Sequence, residues 1–271
     1  DAVGAKEHAV AMRPLEGLVR GWVDVRARAH LGKISSITVV GGGAAGVELA
    51  LAMDYGLRRE MKGDAPHVRV ITDAEVPVPE FPGEARVRLR RHLARRNVGM
   101  HVSSPVKEVG EGFVRLQGGL EFASDATFWA TGAGAPEWIG ASGFATDKKG
   151  FLLTNEFLQS VTYREVFAIG DCASQEHRPT AKAAVFAVRA APTLEANLRA
   201  FFGGTALKRH PARPRYLALV STGPRNAVAI WGGLSWQGPW VWRWKDAIDR
   251  RFVERYRVKP GAAPVPKRLP E

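Results

Sequence analysis

Hydrophobic and polar positions along the chain follow two periods, which predict strands and helices in turn. Residues 34–40 form a short β-branched run of the kind found in buried parallel strands. Residues 47–53 then show helical spacing, and residues 68–71 form a second short apolar run. Strands that alternate with helices in this way predict an α/β fold with a mainly parallel sheet.

The same alternation continues through the middle of the chain. An arginine-rich helix over residues 86–96 precedes a third strand at 99–102. Two short runs near 106–109 and 113–116 have the spacing of a hairpin, and a further strand is predicted at 125–130.

The second half of the chain has fewer periodic segments. Residues 151–154 and 166–169 predict strands, and a helix follows from about residue 180 to residue 202. Residues 216–221 and 227–231 are typical of a pair of hairpin strands.

The charge balance is basic, with 39 Lys and Arg against 27 Asp and Glu, a formal net charge of +12. The densest run is the predicted helix at 86–96, in which Val87, Leu89 and Leu93 supply an apolar side. Its arginines then form a solvated face. Nucleic-acid binding would require base-stacking aromatic residues or a recognisable module, and this helix has neither. We therefore predict no nucleic-acid partner.

Cysteine and histidine usage excludes several kinds of site. The single cysteine, Cys172, excludes an internal disulfide and a paired-cysteine redox centre. The histidines show no ligand spacing with other histidines, cysteines or carboxylates, so no metal site is predicted. No run approaches the ~20 apolar residues of a membrane-spanning helix. We expect a cytoplasmic location, where thiols stay reduced.

The strongest chemical signal is a glycine-rich run, G-G-G-A-A-G, between the first strand and its helix. This is the context that the G-x-G-x-x-G motif of dinucleotide-binding folds requires. Gly41 allows the tight turn, Gly43 lets a diphosphate approach the backbone, and Gly46 lets the helix pack closely on the strand. The helix N-terminus offers N–H groups to the phosphates. The predicted nucleotide contacts are Gly41, Gly43, Ala44, Ala45, Gly46 and Glu48.

The choice between NAD and NADP depends on the end of the second strand. A carboxylate is expected there, about 20 residues past the glycines, to bind the adenosine ribose. In this sequence Thr72 holds the usual acidic position and Asp73 follows it. Asp73 either reaches the ribose or serves as a turn residue. NAD is favoured over NADP.

A second signal consists of two short motifs. The first is an A-T-G run that contains Thr131 and Gly132, and the second is an F-A-I-G-D run that ends in Gly170 and Asp171. In this order after a glycine-rich loop, these motifs resemble the flavin-dependent pyridine nucleotide–disulfide oxidoreductase superfamily. The resemblance implies that Asp171 holds the ribityl chain of FAD. It also implies that the helix starting near Lys182 and Ala183 directs its N–H groups at the flavin pyrimidine edge.

Within that superfamily the chain looks more like the type II NADH dehydrogenases, because it has no cysteine pair. It resembles still more closely the oxidoreductase module fused ahead of selenide, water dikinase, through residues 7–9, 181–189, 216–223 and 242–252. The resemblance implies hydride transfer from a nicotinamide nucleotide to FAD and then electron transfer to a quinone or another acceptor, which the sequence does not identify.

One departure from the family pattern concerns FAD itself. Family members carry two dinucleotide motifs, and the first binds the FAD diphosphate. This chain has a single G-x-G-x-x-G, and no strand–turn–helix unit is predicted before residue 34. We therefore expect a C-terminal portion of a flavoenzyme, which binds a nicotinamide nucleotide but holds FAD poorly.

Five of the eight tryptophans fall between residues 231 and 244. Burying one aromatic side chain removes about 150–250 Å² from water, so leaving several of them exposed would cost free energy. From Trp244 onward an apolar residue recurs every four positions beside basic ones, as in helices that lie on anionic lipid. The chain's own core, a second subunit in a homodimer, or peripheral contact with the cytoplasmic membrane are the alternatives.

These elements divide the chain into four segments, of which the first contains a helix at about residues 15–29 and the last ends in a proline-rich tail at 260–270. We predict a lead-in at 1–33, an NAD(P)-binding Rossmann-like domain at 34–124, the C-terminal part of an FAD-binding domain at 125–202, and a tryptophan-rich C-terminal domain at 203–271. The predicted fold class is α/β, with a small C-terminal α+β segment.

Two functions follow from this sequence. The first is an FAD-dependent NAD(P)H oxidoreductase, in which flavin and nicotinamide carry the chemistry and no protein acid–base pair is demanded. The second is a non-catalytic NAD(H)-binding module that regulates or docks a partner through its tryptophan-rich segment.

Overall fold

The computed structural model describes residues 2–61, 64–132, 134–212 and 215–257. The helices are α1 (Ala5–His8), α2 (Leu15–His30), α3 (Ala44–Met61), α4 (Gly83–Arg95), α5 (Glu137–Ala141), α6 (Ala184–Phe202) and α7 (Pro239–Arg255). The first strands are β1 (Ala9–Ala11), β2 (Ser36–Val40), β3 (His67–Ile71), β4 (Gly99–His101), β5 (Val106–Gly110), β6 (Phe113–Leu116) and β7 (Glu121–Ala123). The others are β8 (Ala126–Trp129), β9 (Leu152–Thr154), β10 (Ala173–Gln175), β11 (Leu217–Ser221), β12 (Ala227–Trp231) and β13 (Leu234–Gly238).

A five-stranded parallel sheet, in the order β1-β8-β2-β3-β4, forms the centre of the fold. Every residue of β2 is buried, as its continuous β-branched pattern predicts for a strand covered on both faces. Val25 of α2, Leu51 of α3 and Leu89 of α4 share one apolar cluster with the sheet. The predicted α/β fold with a parallel sheet is confirmed.

A small antiparallel sheet, β5-β6-β7, packs with the central sheet through a second apolar cluster. Ile71 at the end of β3 meets Val109 and Val114 of the hairpin, and all are buried. The predicted hairpin is confirmed, and β7 is an additional strand that the sequence analysis missed.

The central sheet crosses two of the predicted segment boundaries. β1 lies in the range 1–33 and β8 in the range 125–202, yet both pair in one sheet with β2. Asp125 fixes this junction, because its Oδ2 atom accepts hydrogen bonds from the backbone N–H groups of Ser35 (2.8 Å) and Ser36 (2.9 Å). The start of β8 is thereby tied to the start of β2.

The strand predicted at residues 166–169 is wrong. Phe167 forms only an isolated bridge with Gln159, while the parallel pair beside it joins β9 to β10 at residues 173–175. A strand requires a neighbour that shares its hydrogen bonds, and among the described residues no strand runs alongside 166–169. The helix predicted from about residue 180 begins only at Ala184.

The C-terminal strands form a separate antiparallel sheet, β11-β12-β13, against which α7 packs. The predicted pair at 216–221 and 227–231 is confirmed with small shifts, and β13 was missed. Val220, Val228 and Ile230 belong to the same apolar cluster as the central sheet and its helices. The proline-rich tail at 260–270 lies outside the described residues.

Candidate functional site

The glycine loop between β2 and α3 has the geometry that its motif predicts. Gly41 has φ +123°, and a Cβ atom there would lie 2.5 Å from the backbone carbonyl of Ala130. Its N–H donates to the carbonyl of Ile71 at 2.8 Å. A Cβ at Gly46 would overlap the carbonyl oxygen of Gly41, so only glycine lets α3 start this close to the strand.

Gly43 differs from its neighbours because space remains beside it. A Cβ at Gly43 would meet only the Glu80 Oε1 atom, at 3.5 Å, whereas one at Gly42 would lie 2.7 Å from the Thr72 side chain. Gly43 directly precedes Ala44, the first residue of α3, and Ala45 is exposed in the same turn. Backbone N–H groups at a helix start favour anions. Space therefore remains beside Gly43, and the binding of a diphosphate there stays a prediction.

Thr72 and Asp73 have different surroundings at the end of β3. Thr72 is 5% exposed and packs under Gly42, and its Oγ1 atom accepts a hydrogen bond from the Ala74 N–H at 3.3 Å. Asp73 is exposed. Of the two, only Asp73 presents a side chain to a ribose, and its contact with the nucleotide stays a prediction.

Glu48 contacts the C-terminal sheet. Its Oε1 atom accepts a hydrogen bond from the backbone N–H of Ser221 at 3.0 Å, which joins α3 to β11. Its charge also acts on Lys245 of α7. Burial alone would lower the pKa of Lys245, but a hydrogen bond to Asp249 and the nearby carboxylates, Glu48 among them, raise it above its usual value.

Thr131 and Gly132 follow β8 at the same edge of the sheet as the glycine loop. A Cβ at Gly41 would lie 2.8 Å from the Thr131 backbone nitrogen, so these two segments touch. Thr131 and Gly132 are both exposed, and a Cβ at Gly132 would meet nothing within 4 Å. The structure thus brings Thr131 beside the glycine loop, and the contact of Thr131 and Gly132 with a cofactor stays a prediction.

Gly170 and Asp171 form the start of a short 3-10 turn, in which Gly170 has φ +74°. The carboxylate of Asp171 pairs with the guanidinium of Arg13, which follows β1. Arg13 was not among the predicted site residues. Asp171, Thr180 and Ala183 line one cavity of about 50 Å³, so the residues predicted for the ribityl chain and for the flavin edge do come together.

Lys182 is directed elsewhere. Its Nζ atom donates to the carbonyl of Ala173 and lies 3.9 Å from the centre of the Phe151 ring. Burial lowers the pKa of Lys182. Ala183 is the N-cap residue of α6. Contact of either residue with a flavin stays a prediction.

Glu80 is a second residue near the candidate site that no sequence motif predicts. It lies between β3 and α4, and its Oε1 atom accepts a hydrogen bond from the Ala44 N–H at 2.8 Å. No motif marks this position, because the contact depends on how residues 76–81 fold back over the glycine loop.

Comparison with known families agrees with these elements. The model of the family described as "Pyridine nucleotide-disulphide oxidoreductase" matches residues 2–191. The chain belongs to this family. The match spans β1, the glycine loop and the turn at Asp171, and the family predicted from the motifs is confirmed.

Relatives within this oxidoreductase family include two eukaryotic proteins. "Probable NADH dehydrogenase" of Dictyostelium discoideum is 28% identical over 163 residues, which are 56% of this chain and 36% of that protein. "Internal alternative NAD(P)H-ubiquinone oxidoreductase A1, mitochondrial" of Arabidopsis thaliana is 27% identical over 139 residues, 49% of this chain and 27% of that protein. The chain thus spans about a third of the length of these relatives.

A solved structure of the same fold is NDH2 from Plasmodium falciparum in complex with NADH. It superimposes with a TM-score of 0.79 at 13% sequence identity, covering 93% of this chain and 71% of that one. At this identity the likeness concerns the fold, which is the Rossmann-like arrangement that the sequence predicts.

The C-terminal helix carries an exposed apolar stripe, which we call the aromatic face. Its side chains are between 41% and 63% exposed: Trp240, Trp244, Ile248, Phe252 and Tyr256. The rings of Trp240 and Trp244 stack with centroids 6.5 Å apart. Trp242, by contrast, packs against the buried Val241 cluster. The chain's own core therefore covers only part of the tryptophan-rich segment. None of the described helices is long and apolar enough to cross a membrane.

Proposed function

We propose that this chain binds a nicotinamide dinucleotide at the glycine loop and serves an FAD-dependent NAD(P)H oxidoreductase. The observation that carries the proposal is the contrast among the glycines. Gly41 and Gly46 are closed in by backbone, while Gly43 stays open beside the Ala44 N–H. A purely structural turn gives no reason for that opening, whereas a diphosphate requires it.

Asp73 and Thr131 extend this proposed site. Asp73 would bind the adenosine ribose, which favours NAD over NADP, and Thr131 would lie along the nucleotide where β8 ends. The name of the Arabidopsis relative includes both NADH and NADPH, so we propose the nicotinamide nucleotide class and test each member.

The fit of FAD to these residues is partial. Asp171 can accept hydrogen bonds from ribityl hydroxyls, and the start of α6 lines the same cavity. For the FAD diphosphate, however, these 271 residues contain no second G-x-G-x-x-G. When bound, FAD would accept hydride from the nicotinamide and pass electrons onward. We propose that this chain by itself holds FAD weakly, which a purified sample with one flavin per chain would contradict.

We propose a quinone as the electron acceptor, on the basis of flavin chemistry and of the name of one relative. The Arabidopsis relative is named for ubiquinone, and a quinone suits a two-electron flavin donor. The aromatic face and its basic neighbours would then bring the protein to a membrane surface from a cytoplasmic location. A second copy of the chain is the alternative cover for this face.

The proposed nucleotide site is tested by placing a side chain in its open approach. Gly43→Val should weaken NADH binding at least about tenfold, because the branched side chain enters the path of the diphosphate. Gly17→Val is the matched control, since a Cβ at Gly17 meets nothing within 4 Å. Isothermal titration with NADH and NADPH measures both variants. No binding by the unaltered chain at millimolar nucleotide would refute the proposal.

A non-catalytic NAD(H)-binding module remains the second candidate, and the exposed aromatic face favours it. Such a module would bind NADH as tightly as an enzyme does but would not turn it over. NADH oxidation in the presence of added FAD and a soluble quinone separates the two functions, because only the oxidoreductase consumes NADH faster than free flavin does.

A further inference from the structure

The position of Glu80 carries an inference beyond nucleotide binding itself. Its carboxylate accepts the Ala44 N–H at 2.8 Å, at the first residue of α3. The same Oε1 atom is the one that a Cβ on Gly43 would meet, at 3.5 Å. Glu80 therefore places a negative charge at the opening of the glycine loop, where the dinucleotide motif places the diphosphate.

The backbone on either side holds Glu80 in this place. The N–H of Val78 donates to the carbonyl of Gly42 at 2.7 Å, and the N–H of Phe81 donates to the carbonyl of Val78 at 3.0 Å. Val78 is fully buried with φ +47°, an uncommon conformation for a β-branched residue. Phe81 is also buried. Glu80 itself is exposed, so its side chain can leave without disturbing these anchors.

We infer that Glu80 is an affinity-determining residue that competes internally with the nucleotide diphosphate. This inference rests on the proposed function. One N–H group cannot serve the carboxylate and a phosphate oxygen fully at once, and two anions at one helix start repel each other. Binding of a dinucleotide therefore moves Glu80 off Ala44, and the measured affinity is lowered by the free energy of the contact that is lost.

Removing the carboxylate tests this inference directly. Glu80→Gln and Glu80→Ala should each bind NADH and ADP-ribose about three- to tenfold more tightly than the unaltered chain, because both lack the negative charge that competes with the diphosphate at the helix start. Without ligand, Glu80→Ala should melt at a slightly lower temperature, because the Ala44 N–H loses its acceptor, whereas the amide oxygen of Glu80→Gln still accepts that hydrogen bond. Isothermal titration and thermal melting measure the two effects on the full chain.

Glu84→Gln is the control, because Glu84 is a neighbouring exposed carboxylate that pairs with Arg88 instead of the glycine loop. It should bind nucleotide as the unaltered chain does. Equal affinity in all variants overturns the role of Glu80. Weaker binding by the Glu80 variants also overturns it, because the carboxylate would then assist nucleotide binding instead of competing with it. If the unaltered chain and every variant bind nothing, the proposed function fails together with this inference.

Discussion

The guanidinium of Arg13 pairs with the carboxylate of Asp171, across 158 positions of sequence. Arg13 follows β1 in the central sheet, whereas Asp171 begins the turn before β10. The pair therefore ties the central sheet to the segment that carries the proposed flavin contacts. The carboxylate proposed to bind the ribityl chain therefore has Arg13 as a partner in this structure.

Asp171→Ala is expected to weaken the binding of added FAD about fivefold or more, since the proposed acceptor for the ribityl hydroxyls is lost. Quenching of flavin fluorescence on titration with protein measures this. Glu176→Gln serves as the control, because it removes a nearby exposed charge outside the cavity. Unchanged FAD affinity in Asp171→Ala would contradict the proposed role.

Gly46→Ala should destabilise the fold strongly, by about 3 kcal/mol or more, because its Cβ atom would overlap the Gly41 carbonyl oxygen. Gly17→Ala, in α2, should instead stabilise by about 0.4–1 kcal/mol, since its Cβ meets nothing and the unfolded chain loses freedom. Urea denaturation of both variants provides the comparison. Similar stabilities of the two variants would show that the glycine loop can shift to accept a Cβ atom at Gly46.

Asp125→Ala should lower the free energy of unfolding at neutral pH by about 2 kcal/mol, through loss of its hydrogen bonds to Ser35 and Ser36. Burial alone would raise the pKa of Asp125, but these hydrogen bonds hold it below its usual value. A carboxyl with a lowered pKa stabilises the folded state above its unfolded pKa of about 3.9.

This stabilisation is lost as the pH falls through the lower pKa of the folded state. The gap in stability between the unaltered chain and Asp125→Ala should therefore narrow below about pH 4. Denaturation series at pH 7 and at acid pH measure the gap. A gap that stays constant with pH would mean that the charge of Asp125 contributes nothing.

Substitutions on the exposed and the buried side of α7 should have different effects on vesicle binding and on the stability of the fold. Replacing Trp240 and Trp244 by Ser should lower co-sedimentation with anionic vesicles, because these side chains are 52% and 42% exposed. Val241→Ala, on the buried side of α7, should instead cost about 1–2 kcal/mol of stability and leave vesicle binding unchanged.

Equal vesicle binding by the unaltered chain and the double tryptophan variant would remove the membrane proposal. Light scattering of the same two proteins without vesicles measures their molar mass. If a second copy covers the aromatic face, the unaltered chain should be a homodimer and the double tryptophan variant a monomer.

Several features could be predicted from sequence because they depend on local pattern alone. The β-branched run of β2 and the glycine spacing specify both the strand and the turn at Gly41, where the backbone conformation excludes other residues. The hairpin of β5 and β6 follows equally from short alternating runs. The glycine spacing was also one of the motifs from which the family was correctly predicted.

Other features depend on contacts between distant segments. The apolar run at 166–169 has strand composition, but a run becomes a strand only beside a hydrogen-bonding neighbour. Glu80 reaches Ala44 only because Val78 takes a left-handed backbone conformation that its residue type does not suggest. Arg13 is likewise a functional candidate only once β1 has placed it beside Asp171.

The shared cluster of Val220, Val228 and Ile230 with the helices of the central sheet affects how the chain unfolds. Separating the β11-β12-β13 sheet from α3 and α4 would expose apolar surface on both sides, so neither part has a complete core of its own. We therefore expect one cooperative melting transition. If nucleotide binds at the glycine loop, it should raise the melting midpoint reported by the C-terminal tryptophans as much as the midpoint reported by the glycine loop.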